Sequence, residues 1–202
     1  MTERYVFALT VSGTTIFAGT WGGGILRSGD NGGKWTSVNT GLTSQYVPSL
    51  TVSGKTIFAG TDGGVFRSTD NGGNWTAVNI GLARQYVPSL TVNGTTLYAG
   101  TFYGGVFRST DNGGNWTAVN TGLTSQIVHA LTGSGTTIFA GTDGGVFRSI
   151  DSGGNWTEVN IGLTRQIVLA LTVSGTTIFA GTDSGIFRST DNGGIGRQLV
   201  RV

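Results

Sequence analysis

The sequence contains no cysteine, and its 202 residues include one histidine, two prolines and only 11% charged residues. The lack of cysteine excludes disulfides, thiol catalysis and thiolate metal sites. A single histidine, His129, argues against a histidine metal cluster or a Ser-His-Asp triad within one chain. No apolar run approaches the roughly 20 residues that a membrane helix needs. We therefore expect no cofactor, no metal and no membrane partner.

The charge balance argues against a nucleic-acid partner. The net charge is only +2, and the twelve Lys and Arg residues are spread along the chain instead of forming a basic patch. Glycine is abundant at 37 residues, but no G-X-Y period indicates collagen.

An internal repeat of 40 or 41 residues organises the whole chain. A Leu-Thr pair recurs at Leu9, Leu50, Leu90, Leu131 and Leu171. Each unit carries four short strand signals separated by Gly, Asn, Asp and Ser, which in the fourth unit fall at 127–132, 137–141, 146–149 and 155–160. No helical period is present. This pattern is typical of one propeller blade per unit.

The repeat therefore predicts an all-β fold, a single five-bladed β-propeller over residues 1–202 whose first strands line the channel. The predicted blades cover residues of about 5–45, 46–85, 86–126, 127–166 and 167–202. A flat solenoid remains possible, although it would leave two apolar end faces.

The turn between the third and fourth strands repeats as S-x-D-x-G-x-x-W. Its copies are Ser28, Asp30, Gly32, Trp35; Ser68, Asp70, Gly72, Trp75; Ser109, Asp111, Gly113, Trp116; and Ser149, Asp151, Gly153, Trp156. The fifth copy keeps Ser189, Asp191 and Gly193 but has Gly196 in place of the tryptophan. We expect a folded turn in which Asp accepts backbone N–H groups, Gly adopts positive φ and Trp fills the space between layers.

These four intact copies resemble the Asp-box, or BNR, repeat of sialidases, sortilin-type receptors, some glycosidases and photosystem II assembly-factor propellers. The resemblance implies a propeller in which the Asp box has a structural role. Members are often exported, yet the first residues here already belong to the repeat and show no signal peptide, so the compartment stays open.

The acidic residues offer little for catalysis. Five of the ten lie in the repeated turns, three more (Asp62, Asp143, Asp183) occupy the turn between the second and third strands, and only Glu3 and Glu158 remain. Sialidases of similar fold need an arginine triad, but the arginines here share one repeat position, which favours a structural role: Arg27, Arg67, Arg108, Arg148 and Arg188. We therefore predict that the chain is not an enzyme, with a glycosidase remnant as the third hypothesis.

The end of the fifth unit departs from the repeat. Residues 195–202 read I-G-R-Q-L-V-R-V where the pattern predicts N-W-T-A-V-N-T-G. One allowed codon set, preceded by a single A, reads N-W-T-A-V-S-T-G, which agrees at seven of eight positions. We infer a lost nucleotide, and expect an aberrant last strand in a repeat that was recently duplicated, truncated or engineered. The open blade edges could then pair with each other or between chains.

Two sets of loops are expected to share the face opposite the repeated turns. The loops after the second strands carry exposed aromatics, and those after the fourth strands carry Gln and Arg. Such groups can stack on and hydrogen-bond to a sugar. The candidate binding residues are Trp21, Phe102, Tyr103, Gln45, Gln85, Gln126, Gln166, Arg84 and Arg165. The alternative is unselected loop variation, with the glutamines making local turn bonds.

The function favoured by these patterns is a non-enzymatic scaffold that presents one loop-rich face to a protein partner. The alternative is a lectin-like propeller that binds carbohydrate.

Overall fold

A computed structural model describes residues 5–82, 86–160, 162–163, 167–191 and 200–201 of the chain. These residues form twenty strands in five antiparallel four-stranded sheets, and the described part contains no helix. In every sheet the spatial order of the strands follows the chain, so that each repeat folds as one meander. The predicted all-β, five-bladed propeller is confirmed.

The blades have nearly the same strand lengths. Blade 1 contains β1 (Val6–Ser12), β2 (Thr15–Thr20), β3 (Ile25–Ser28) and β4 (Thr36–Ser37). Blade 2 contains β5 (Ser49–Ser53), β6 (Thr56–Thr61), β7 (Gly64–Ser68) and β8 (Thr76–Ala77). Blade 3 contains β9 (Ser89–Asn93), β10 (Thr96–Gly100), β11 (Val106–Ser109) and β12 (Thr117–Ala118).

Blade 4 contains β13 (Val128–Ser134), β14 (Thr137–Thr142), β15 (Gly145–Ser149) and β16 (Thr157–Glu158). Blade 5 contains β17 (Val168–Ser174), β18 (Thr177–Thr182), β19 (Gly185–Ser189) and β20 (Val200–Arg201).

The core lies between blades, not within them. We call the side that a blade turns to the preceding blade its front face, and the opposite side its back face. Between blades 1 and 2, Phe17, Ile25 and Val38 of the first back face pack on Leu50 and Trp75 of the second front face. The following three interfaces repeat this arrangement with equivalent residues.

Strand propensity and turn chemistry explain the regularity. Val, Ile, Phe and Thr dominate the strands, where their side chains pack on neighbouring sheets. The β1–β2 hairpin turns on Gly13, whose φ of 60° is open to glycine at little cost. The hairpins of the other blades turn in the same way, with φ of 60–62° at Gly54, Gly94, Gly135 and Gly175.

The fourth strand of each blade is shorter than predicted. In blade 4 only Thr157 and Glu158 pair with β15, although residues 155–160 carry the strand pattern. The flanking residues bond elsewhere: Trp156 N donates to Thr121 O of blade 3 at 2.8 Å, and Asn160 Oδ1 accepts from Val146 N at 2.6 Å.

The last strand of blade 5 forms with a shifted register. Val200 lies opposite Arg188, whereas adding the 40-residue period to Thr157 would place residue 197 there. Gly193 and Gly196 lie outside the described residues.

The five blades form an arc whose two ends do not meet. The first strands of consecutive blades contact one another from β1 to β17, but no comparable contact joins β17 to β1. The outer side chains at both ends are exposed, among them Leu9 at 66% and Ile186 at 54%.

Candidate binding face

Six aromatic side chains and one histidine form a continuous belt across blades 1 to 4. The belt comprises Phe7, Trp21, Tyr46, Tyr86, Phe102, Tyr103 and His129. The rings come from the start of the first strands and from the loops after the second strands. Because these positions recur at one end of every blade, stacking the blades brings the rings into a row.

Backbone hydrogen bonds between neighbouring segments fix the belt. Trp21 N donates to Tyr5 O at 2.9 Å, and Trp21 also forms an isolated antiparallel bridge with Tyr46. In blade 3, Phe102 N donates to Tyr86 O at 3.1 Å. The loops that carry the aromatics are thus tied to the first strands.

The ring geometry is that of packed aromatics. In blade 1 the Phe7 ring lies edge-on to Tyr46, with centroids 5.5 Å apart. Tyr46 and Tyr86 stack at 5.7 Å with an interplanar angle of 24°, which joins blade 2 to blade 3. Phe102 continues the row and meets Tyr103 edge-on at 5.0 Å. Each distance falls in the range favoured by aromatic pairs.

Both ends of the belt are open to solvent. Trp21 is 61% exposed and Tyr103 is 73% exposed, while the two central tyrosines are half-buried. The structure therefore offers flat apolar rings at the surface of a supported row.

The polar groups of the belt bond mainly to one another. The hydroxyls of Tyr46 and Tyr86 are 3.0 Å apart, and burial raises the pKa of the Tyr86 phenol, with the bond to Tyr46 adding to the effect. His129 Nε2 lies 2.6 Å from Asp143 Oδ1. Ser44 Oγ donates to Asp62 Oδ1 at 2.5 Å.

The structure brings together part of the predicted site. Trp21, Phe102 and Tyr103 lie on the same face as Gln45 and Gln126, whose carbonyls accept hydrogen bonds from Gly22 and Gly105 respectively. The side chain of Gln126 donates to Leu123 O at 3.3 Å, a local turn bond. The other predicted members, Gln85, Gln166, Arg84 and Arg165, lie outside the described residues. Ligand binding by the set stays a prediction.

Sequence reasoning did not select Phe7, Tyr46, Tyr86 and His129. A signal was available, because tyrosine occupies one repeat position three times, at residues 5, 46 and 86. The predicted set drew only on loops, and the belt also draws on the first strands.

The repeated S-x-D-x-G-x-x-W turns lie at the other end of the strands. Asp70 Oδ1 accepts from Ser68 Oγ and from Asn74 N, both at 2.8 Å, and Ser68 Oγ accepts from Gly72 N at 2.9 Å. Hydrogen bonds from Asn74 hold the pKa of Asp70 at about 2. One strand of six residues spans about 20 Å, so the turns are well separated from the belt.

The periodic arginines bond between blades. Arg27, Arg67 and Arg108 each donate through one guanidinium nitrogen to a turn carbonyl of the following blade, at 3.0–3.1 Å. Their role is structural. Among the residues that the structure describes, no three His, Asp or Glu side chains form a group that could hold a metal ion. Within the same residues, no helix is long and apolar enough to cross a membrane.

The stacked four-stranded meanders define a β-propeller. More specifically, the chain belongs to the family described as the DUF6242 beta propeller domain, which matches residues 2–121.

Solved structures support the same fold. The chain is similar to the extracellular domain of the putative hybrid two component system BT4673 from B. thetaiotaomicron, with a TM-score of 0.82 at 15% identity over 100% of this chain and 28% of that one. It is similar to an ancestral GH74 enzyme, with a TM-score of 0.77 at 18% identity over 97% of this chain and 31% of that one.

A third similar structure is YCF48 bound to D1 peptide, with a TM-score of 0.72 at 18% identity over 98% of this chain and 67% of that one. The chain thus spans a third or less of the first two proteins. No sequence among curated proteins matches it.

Proposed function

We propose that the chain is a non-enzymatic propeller that binds an extended segment of a partner protein along its aromatic belt. The observation that carries this proposal is the unbroken row of rings from Phe7 to Tyr103, with both ends exposed. Exposed aromatics supply large contact area at small entropic cost, and they concentrate binding energy at protein interfaces.

The chemistry of the belt favours a segment with apolar side chains. Its hydroxyl, imidazole and carboxylate groups already have partners, since Tyr46 pairs with Tyr86 and His129 pairs with Asp143. A ligand that buries apolar area does not require these groups to change partners. The structure of YCF48 with a peptide supports a peptide ligand only by fold analogy.

Selection of peptides on the intact chain tests the proposal. A displayed random peptide library is the probe, and the readout is quenching of tryptophan fluorescence by acrylamide. Trp75, Trp116 and Trp156 are buried, so in a Trp35→Phe background Trp21 is the one exposed tryptophan. We expect selected peptides to protect Trp21, and to lose at least tenfold in affinity with the triple variant Trp21→Ala, Phe102→Ala and Tyr103→Ala.

A matched control is Ile150→Ala, which removes an exposed apolar side chain beside a repeated turn. This variant should bind as the parent does. Selected peptides that bind the triple variant equally well would contradict the proposal.

A lectin-like role is the second candidate, and the exposure of Trp21 and Tyr103 favours it. Flat rings at the surface suit the apolar face of a pyranose. A glycan array is the test: binding that the triple aromatic variant abolishes would support this role. The absence of any glycan bound by the parent would remove it.

We also propose that the repeated turns are Asp boxes with a structural role. Their carboxylates accept hydrogen bonds within the turn, and their tryptophans bridge to the preceding blade, as when Trp75 Nε1 donates to Val38 O at 2.8 Å. A fluorogenic sialoside should accordingly show no turnover above buffer.

A further inference from the structure

The two ends of the arc expose opposite halves of the interface that joins consecutive blades. Blade 1 has no preceding blade against its front face, and blade 5 has no following blade against its back face. The three inner blades are covered on both sides. What covers each kind of face can therefore be determined from the molecule itself.

A filled interface is held by a tryptophan and a set of apolar contacts. Trp75 is 3% exposed, and its Nε1 donates to Val38 O of blade 1. Trp116 and Trp156 repeat this bond to the carbonyls of Val78 and Val119, at 2.8 and 2.7 Å.

The front face of blade 1 carries the same residues without a partner blade. Trp35 is 39% exposed, and its Nε1 donates to Gly32 O within its own turn. Leu9 is 66% exposed, whereas its equivalent Leu50 is 9% exposed. Val6 is 53% exposed, and its equivalent Val47 is fully buried. Such a cluster on one sheet face marks an interaction surface.

The back face of blade 5 carries the complementary hollow. Its groove has a volume of about 200 Å³ and is lined by Ala170, Leu171, Thr172, Phe179, Gly181 and Ile186. At the equivalent site in blade 4, a Cβ on Gly141 would meet the Val168 side chain of the next blade at 2.6 Å. At Gly181 it would meet only Ala170 of the same blade.

The occupant that fits the groove is therefore a front face with a valine at that position. Blade 1 presents one, because Val6 aligns with Val168 in the repeat. The exposed residues of both surfaces named here are uncharged, so their contact leaves no charge buried without a partner.

We propose that a second copy of this chain supplies the missing blade, with the front face of blade 1 in one copy packed on the back face of blade 5 in another. The contact is heterologous, so two copies either close a ten-bladed ring or the contact continues into longer assemblies. Trp35 then takes the position that Trp75 has within the chain.

Mass in solution is the first test. Light scattering after size exclusion should give a multiple of 20.8 kDa for the parent. Leu9→Arg and Ile186→Arg should each reduce the mass to one chain, because each places a charge in one half of the interface. Ile150→Arg changes an exposed residue outside both faces and should keep the parent's mass.

Mixing the two variants distinguishes this geometry from other modes of association. Leu9→Arg retains an intact back face, and Ile186→Arg retains an intact front face. Their mixture should form a two-chain species with one intact interface, while neither variant does so alone. A mixture that stays at one chain would overturn the proposal.

Quenching of Trp35 keeps the test independent of folding defects. In a Trp21→Phe background, Trp35 is the exposed tryptophan, and association should protect it from acrylamide as concentration rises. A parent that stays at 20.8 kDa at all concentrations overturns the proposal, whether or not Trp35 is protected. Protection at that mass would show closure of the ring within one chain.

Discussion

At the scale of single residues, the interblade contact depends on glycines as much as on tryptophans. Gly81 has φ of 83°, and a Cβ built on it would overlap the carbonyl oxygen of Trp116 in the next blade. Gly41 and Gly122 have the same relation to Trp75 and Trp156. The tryptophan can pack deeply because a glycine leaves room for its backbone.

This pairing predicts different costs for two alanine substitutions. Gly54 has φ of 61° in an open hairpin with nothing within 4 Å, so Gly54→Ala should cost only the left-handed conformation, about 1–2 kcal/mol. Gly81→Ala adds a backbone overlap and should cost at least about 2 kcal/mol more. Urea unfolding measures both. Equal losses would show that the interface yields at Gly81.

At the scale of elements, the repeated turns couple stability to acid. Hydrogen bonds from the following asparagines and serines hold the pKa values of Asp70, Asp111 and Asp151 at about 2, against 3.8 ordinarily. The unfolded chain therefore binds more protons between these values, so stability rises with pH there. The stabilisation is complete above about pH 4 and is lost as the pH falls towards 2.

The prediction is a steep fall in the urea midpoint from pH 4 to pH 2. The triple variant Asp70→Asn, Asp111→Asn and Asp151→Asn keeps an acceptor oxygen in each turn but removes the titrating group. Its midpoint should change less over this range. Asp183→Asn, in the loop between β18 and β19, is the matched control and should keep the parent's slope. Parallel curves for parent and triple variant would contradict the prediction.

The elements also show what the sequence could predict. Strand order and turn positions follow from local chemistry, since glycine and Asp mark each turn, and these predictions were right. The short fourth strands were not predicted, because Asn160 and Trp156 bond to groups far apart in the chain. The belt was found only in part for the same reason: Tyr46 and Tyr86 meet across blades, so no local pattern shows the contact.

At the scale of the whole molecule, the four interfaces are unequal. The first three clusters contain Trp75, Trp116 and Trp156, whereas the described residues of the fourth cluster include no tryptophan. The repeat would place that tryptophan at residue 196, where Gly196 stands. The proposed lost nucleotide accounts for this difference, and sequencing of the gene tests it directly through the codons of residues 195–202.

The interface between blades 4 and 5 is consequently the place where the fold can be strengthened. Replacing residues 195–202 by N-W-T-A-V-S-T-G should return a tryptophan to the site beside Phe139, Val146 and Val159. Filling such a site is worth about 3–5 kcal/mol by the cost of removing a buried tryptophan. The same replacement with serine at position 196 is the control, because it restores everything except the indole. Urea unfolding should separate the two variants by most of that difference, and a tryptophan variant no more stable than the serine variant would show that the fourth interface is complete without it.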